Sequence, residues 1–350
     1  MRGMRVLVLY LSVGSGHQAA AQAVAAALAP RAAVTCVDPI GARHPGLLRA
    51  LNLGNSLTAY AAGRYQHAWS GPPSAAVDAL AARGLLRAIT EAVRAARPDR
   101  IVATHALPAR LAAQAADAPV TGVLTDYGVH GYWPHPQIDR YCVPHADVAL
   151  ELERRGVATA KIAITGLPIA RSIGAARPAD PSGVLMVIGG RRRGPYRRAV
   201  NCVLDALKSL DRLEQPIGVT IVAGANTRAY RQLLGFKSIT PLGLIDDLPD
   251  RLARAQIVVG KPGGAFVAEV LAAGAAFIAL TPGPGQEAAN ALFLQRHAAA
   301  LRADSPAALL AALQELGADP ARRAALRTRA RDLARPRAAD AVAQVILDEP

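Results

Sequence analysis

Short apolar runs alternate with longer Ala-rich segments of helical spacing along the chain. In the first half, runs at 6–11, 34–37, 100–104, 120–125, 140–143 and 162–165 predict strands. Helical spacing predicts helices over 18–28, 77–96, 107–116 and 148–155. Residues 173–183 hold Gly174, Pro178, Pro181 and Gly183 and read as a linker. The pattern then restarts. Strands are predicted at 184–188, 218–222, 238–240, 257–259 and 276–280. Helices are predicted at 197–213, 227–234, 265–273, 287–296 and over most of 305 to the end. Strand alternating with helix is the pattern of a parallel sheet wrapped by helices. The expected fold class is therefore α/β, with two Rossmann-like domains facing each other across a cleft. The first spans 1–172 and the second 184–335. A last helix over 336–350 has a crossing back to the first domain open to it. Ligands of such sheets sit at the carboxyl ends of the strands. No solenoid repeat and no heptad pattern is present.

Composition changes this picture in three places. A chain of 350 residues suits two domains, and 52% apolar content suffices for two cores. Aromatics are only 4%, so those cores rest on Ala, Val, Leu and Ile. The net charge is +14, carried almost wholly by arginine, since the only lysines are Lys161, Lys208, Lys237 and Lys261. Such a balance fits an anionic lipid or phosphorylated substrate as well as plain surface charge. The sparse aromatics do not interleave with the basic residues, and no RNA- or DNA-binding motif is found, so nucleic acid is not expected as a partner. Cys36, Cys142 and Cys202 are widely spaced with no C-x-x-C, which fits reduced thiols and no structural zinc. The start offers only a short apolar run with no clear cleavage site, and no stretch reaches the ~18 apolar residues of a membrane span. Any membrane contact is then expected to be peripheral.

Three segments carry candidate chemistry. The first strand runs into Ser12-Val13-Gly14-Ser15-Gly16-His17 and a helix. Gly14 and Gly16 let backbone amides approach an anion at the helix N-terminus, or simply make a tight turn. A dinucleotide site is weakly matched: Ala19 stands at the third glycine position, and Asp38 ends the second strand. His17 reads either as a proton acceptor near neutral pH or as a cap of the helix. The second segment, Thr125-Asp126-Tyr127-Gly128-Val129-His130-Gly131-Tyr132-Trp133, also follows a strand. It reads as a carboxylate orienting a base or a hydroxyl, or as a polar loop with a buried Trp. The third has Lys261-Pro262-Gly263-Gly264 opening one helix and Pro282-Gly283-Pro284-Gly285-Gln286-Glu287 opening another. Two helix N-termini are thereby offered to a ligand. Glu269, one turn into the first helix, suits two ribose hydroxyls. Gln286, Glu287 and Asn290 offer the amides and acid that sugar hydroxyls require, and Gln286 and Asn290 share a helix face.

These segments, together with Thr165-Gly166-Leu167-Pro168, stand in the same order in the monogalactosyldiacylglycerol synthases and processive diacylglycerol glucosyltransferases, which the chain resembles from roughly residue 5 to 345. The first glycine loop is shared more loosely with the bacterial transferase that adds N-acetylglucosamine to the lipid-linked peptidoglycan precursor. The resemblance implies a GT-B fold and an acceptor lipid, diacylglycerol, in the N-terminal domain. It implies UDP-glucose or UDP-galactose in the C-terminal domain, and inversion with neither metal nor cofactor. His17 then looks like the general base, with Asp126 competing for that role. Gly263 and Gly264 resemble the diphosphate turn, Glu269 the ribose acid, and Gln286, Glu287 and Asn290 the hexose set. Gly14, Gly16 and Lys261 join the expected donor contacts.

Two segments depart from the family. Its small loop after the first C-domain strand is here Gly189-Gly190-Arg191-Arg192-Arg193-Gly194. Gly190 and Arg191 with its neighbours either clamp a diphosphate, decorate the surface or block the site. The segment 52–69, with Tyr65 and Trp69, is short for an acceptor or membrane loop, yet its rings and Arg64 suit a bilayer interface. Tyr65, Trp69, His130 and Trp133 are the expected acceptor and membrane contacts. The resulting expectation is a cytoplasmic hexosyltransferase, peripheral on the anionic inner face of the cell membrane. Its rivals are a transferase to a polyprenyl acceptor, a UDP-sugar epimerase, and a non-catalytic arginine-rich binding protein.

Overall fold

The computed structural model describes residues 3–12, 15–41, 75–173, 183–189, 195–210 and 218–348. The chain divides into two compact units, one of residues 1–171 with 335–350, the other of residues 172–334.

The first unit runs β1 (Arg5–Leu9), α1 (Ser15–Leu28), β2 (Ala33–Val37), α2 (Ala75–Ala96), β3 (Arg100–Ala103), α3 (Ala106–Ala115), β4 (Val120–Val123), β5 (Arg140–Val143), α4 (Ala146–Arg154) and β6 (Ile162–Ile164). All its strand pairs are parallel, in the order β2-β1-β3-β4-β5-β6. Leu7, Leu9 and Ile101 pack under α2 and α3, while Val6, Val8 and Val102 face α1 from the other side. Covering both faces is why β1 reads as a continuous apolar run rather than an alternating one.

The second unit runs β7 (Val184–Val187), α5 (Pro195–Leu210), β8 (Val219–Val222), α6 (Thr227–Leu233), β9 (Ile239–Leu242), α7 (Leu248–Arg254), β10 (Ile257–Gly260), α8 (Gly264–Ala273), β11 (Ala276–Leu280), α9 (Gln286–Arg296), β12 (Ala300–Ala303), α10 (Pro306–Ala318) and α11 (Pro320–Leu333). Its parallel sheet has the order β12-β11-β10-β7-β8-β9. The last helix, α12 (Ala338–Leu347), belongs to the first unit, where Ala339, Val342, Ala343 and Ile346 join the core beneath α1.

Where the chain re-enters the first unit, Gly166 meets it closely. A Cβ on Gly166 would lie 2.4 Å from Arg335 Cβ and 2.9 Å from Ala338 Cβ, and its φ of +89° also favours glycine. Arg171 pairs with Asp340 on the same crossing.

Three elements differ from the sequence expectation. Strand β12 and helix α7 were not anticipated. The former is an Ala- and Arg-containing edge strand whose partner β11 supplies the apolar face. The latter has only seven residues. The expected C-terminal helix is three helices. Asp319 caps α11, accepting from Arg322 N at 2.9 Å with Pro320 opening the helix, and Pro336 separates α11 from α12. Among the described residues no helix is long and apolar enough to cross a membrane.

Candidate functional site

Strand order locates both candidate sites. In the first unit the chain leaves β1 for β2 on one side and continues to β3, β4 and β5 on the other, so the order reverses between β1 and β3. In the second unit the reversal lies between β7 and β10. Loops diverge at such switch points and leave a crevice outside the carboxyl ends of the strands.

In the first crevice, His17 lies in the first turn of α1, with its ring turned across to the ends of β3 and β4. Nδ1 stands 2.8 Å from the carbonyl oxygen of Thr104 and 2.9 Å from Thr125 Oγ1. A carbonyl oxygen only accepts, so Nδ1 carries the proton and Nε2 keeps the lone pair. Thr104 in turn donates its hydroxyl to the His17 carbonyl oxygen at 2.9 Å. Burial holds the imidazole below its usual range, opposed in part by the Thr104 carbonyl. The result is a neutral, fixed ring with Nε2 as its basic atom. His17 therefore does not cap the helix. Asp126 follows Thr125 directly, placing an acid beside the same crevice. Tyr127 is buried next to it, and burial raises its phenol. His130 is held by Tyr132 N donating to Nδ1 at 3.1 Å, and burial, then Arg155 and His17, pushes it down to about 4.

Two expectations for this unit are corrected. Trp133 is a core residue: it is 5% exposed, and its ring lies over Gly122, where any Cβ would approach it to 2.8 Å. A ring buried to that extent offers almost no surface to a membrane. The Asp38 of the weak dinucleotide pattern is spent on the β1 loop. It accepts from Ser12 N at 3.2 Å, from the Ser12 hydroxyl and from Ile40 N at 3.0 Å, which leaves it closing a turn instead of facing a ribose.

In the second unit, β10 ends at Gly260 against the ring of Phe266, only 2.4 Å from where a Cβ would stand. This close packing draws the N-terminus of α8 over the strand end. Gly263 caps that helix with backbone alone and no side-chain hydrogen bond, so the first N–H groups of α8 are presented for an anion. Gly264 is the first helical residue. Glu269 lies on the same helix. Burial pushes its carboxyl up to about 7, and among the described residues it has no hydrogen-bond or ionic partner. Helix α9 begins after Gly285, whose φ of +78° and ψ of −126° suit glycine alone, and no side chain caps it either.

Lys261, Glu287 and Asn290 tie these two turns together. Lys261 Nζ donates to Glu287 Oε1 at 2.7 Å, with the two side chains 9% and 12% exposed, and Glu287 Oε2 accepts from Gly283 N at 2.6 Å. Burial lowers the Lys261 ammonium, and Glu287 counters it. Asn290 is fully buried and donates to the Pro262 carbonyl oxygen at 3.0 Å. Its expected place on a sugar is corrected: it points inward and braces the turn, while Gln286 at the helix start stays half-buried. Gly16 lies at the start of α1 in the first unit. Gly14, Gly190, Arg191, Tyr65 and Trp69 lie outside the described residues. Thr104 and His105 were missed by sequence reasoning. The available signal was their place at the carboxyl end of a strand.

The model of the monogalactosyldiacylglycerol (MGDG) synthase family matches residues 17–169, which hold His17, Asp126 and His130. A processive diacylglycerol beta-glucosyltransferase of Bacillus cereus (strain AH187) is 27% identical over 278 residues, spanning 73% of this chain and 69% of that one. The chain is thus similar to this family over residues 17–169 and to this glucosyltransferase over 73% of its length. Solved structures agree on the GT-B fold. Acinetobacter baumannii MurG superposes with a TM-score of 0.68 at 18% identity, covering 99% of this chain and all of that one. The UDP-GlcNAc 2-epimerase of Neisseria meningitidis, solved with UDP-GlcNAc, gives 0.66 at 14% identity, again with 99% and 100% covered. In terms of the GT-B fold the first unit is the N-terminal Rossmann-like half and the second the C-terminal half.

Proposed function

We propose that this chain transfers a hexose from UDP-glucose or UDP-galactose to diacylglycerol with inversion at the anomeric carbon, working as a peripheral enzyme on the cytoplasmic face of an anionic membrane. The observation that carries the reading is the fixed tautomer of His17. Its Nδ1–H is committed to the Thr104 carbonyl, which leaves Nε2 as a base at the crevice of a family glycosyltransferase.

On this reading Nε2 takes the proton of the lipid hydroxyl, and the hydroxyl oxygen bonds to the anomeric carbon. The bond from that carbon to the diphosphate breaks, and UDP leaves with the electron pair. The presented N–H groups of α8 stabilise the diphosphate charge. Glu269, desolvated and without a partner among the described residues, accepts the ribose hydroxyls; Gln286, half-buried at the start of α9, meets the hexose, and Glu287 holds the turn beneath it through Lys261 and Gly283. Asp126, next in sequence to Thr125, orients the acceptor hydroxyl. The arginine excess favours an anionic leaflet, each basic group near it adding about 1 kcal/mol.

The test is transfer of label from UDP-glucose and UDP-galactose to vesicles of diacylglycerol in anionic lipid, beside vesicles carrying a polyprenyl phosphate lipid. Labelled glycosyl-diacylglycerol is expected. Label on the polyprenyl lipid, or an epimerised free UDP-sugar, overturns the acceptor assignment. His17→Ala should cut turnover by roughly 10²–10⁴ with UDP affinity unchanged. A variant that keeps its turnover passes the base role to Asp126.

A further inference from the structure

Three other described histidines of the first unit share one ring tautomer, and His17 has the other. His105, His130 and His135 each accept on Nδ1 the backbone N–H two residues ahead, at 3.1, 3.1 and 3.3 Å. An amide N–H only donates, so in each neutral ring the proton sits on Nε2. His17 has the opposite tautomer, imposed by the Thr104 carbonyl. The ring packed against it is His105, edge to face, with centroids 4.8 Å apart and planes at 70°. His105 adjoins Thr104 and caps α3 through Leu107 N. One dipeptide thus grips His17 twice, by the Thr104 backbone and by the His105 ring.

We propose that His105 is a positioning residue for His17: its ring fixes the plane of the base and walls it from water, and its cap bond keeps it uncharged while His17 takes a proton. This rests on the proposed role of His17 as base. Protonating His105 at Nδ1 would break the bond from Leu107 N and place a second cation against the imidazolium forming on His17. Burial, together with repulsion from His17 and His130, holds His105 well below its usual range. His130, on the loop after β4, is held neutral in the same way, with Arg155 acting on it. The other groups around His17 are the Thr104 and Thr125 hydroxyls, with Asp126 and Tyr127 on the loop that follows Thr125.

The decisive variant is His105→Asn. Asparagine retains a neutral cap acceptor for α3 and removes the ring. Two readouts apply to the intact chain. In an NMR titration of the histidine rings, His17 should move up toward its ordinary value by about half a unit or more as water reaches it. With UDP-glucose and diacylglycerol vesicles, kcat should fall roughly tenfold, the acidic limb of its pH profile should move the same way, and UDP affinity should hold. An unmoved His17 titration with kcat within about twofold of wild type overturns the proposal. So does a result in which His105→Ala unfolds the chain while His105→Asn behaves as wild type, since only the cap then matters. His17→Ala separates the two readings. Turnover retained there sinks the base assignment. Turnover lost there, with His105→Asn unaffected, sinks only the positioning role.

Discussion

Glu269→Gln gives a test in which stability and binding should move in opposite directions. The Glu269 carboxyl stands at about 7 against an ordinary 4.5, with burial as the cause and no partner among the described residues. That gap of about 2.5 pH units, at roughly 1.36 kcal/mol per unit, is about 3 kcal/mol disfavouring the ionised form in the folded chain. Glu269 keeps an exposed edge through which water recovers part of the penalty, so about 2 kcal/mol is the working figure. The sign follows from linkage. A group whose folded value is raised binds its proton more tightly in the native state, so its contribution is fully present below 4.5 and lost as pH rises through 7. Glutamine is neutral throughout. Urea unfolding should therefore find the variant more stable than wild type by about 2 kcal/mol at pH 8 and unchanged at pH 4. Binding should go the other way. An ionised carboxylate accepting ribose hydroxyls makes bonds of roughly 1.5–3 kcal/mol each, against about 1 for a neutral amide oxygen. UDP affinity by calorimetry should fall at least about tenfold. It should also rise with pH between 6 and 8 in wild type far more than in the variant. A variant destabilised at pH 8, or one binding UDP as wild type does, refutes the argument that this carboxyl is kept desolvated for a ligand.

Other outcomes follow from particular contacts. Glu287→Ala leaves the Lys261 ammonium buried without its partner and should destabilise the chain by roughly 3–5 kcal/mol in denaturant unfolding, while Lys261→Met with Glu287→Leu should recover most of that loss. Gly166→Ala combines a left-handed backbone with a 2.4 Å approach to Arg335 Cβ and should lower stability by about 2 kcal/mol or more. Asn290→Asp removes the donor to the Pro262 carbonyl and buries a charge; UDP affinity should fall together with the melting temperature, and a loss of affinity alone would return Asn290 to the ligand. The intact protein should sediment with anionic vesicles at low salt and release partly at high salt, and indifference to anionic lipid would point to a soluble acceptor.

The resemblance to the diacylglycerol glycosyltransferases was legible in the linear order of short motifs, and so were most of the elements. A strand covered on both faces must be apolar along its length, and the helices between strands must be Ala- and Leu-rich on one side. Those are local constraints, and β1 or α8 satisfies them within a few residues. The Gly-rich turns at 263 and 285 were readable for the same reason, since a backbone shape such as that of Gly285 admits one residue type. Tertiary structure decided what depends on residues far apart in the chain. Nothing near position 17 says which ring nitrogen of His17 is basic. That is fixed by a carbonyl 87 residues away. Asn290 looked like a sugar ligand because it shares a helix face with Gln286, and only the packing of α9 against Pro262 turned it inward. Trp133 looked like an interface ring until Gly122, in the strand β4 that precedes its loop, supplied the flat surface on which it packs. Glu269 shows the division within a single residue. Its place one turn into α8 is local, whereas its raised carboxyl belongs to the whole core around it, because desolvation sums over every atom that excludes water.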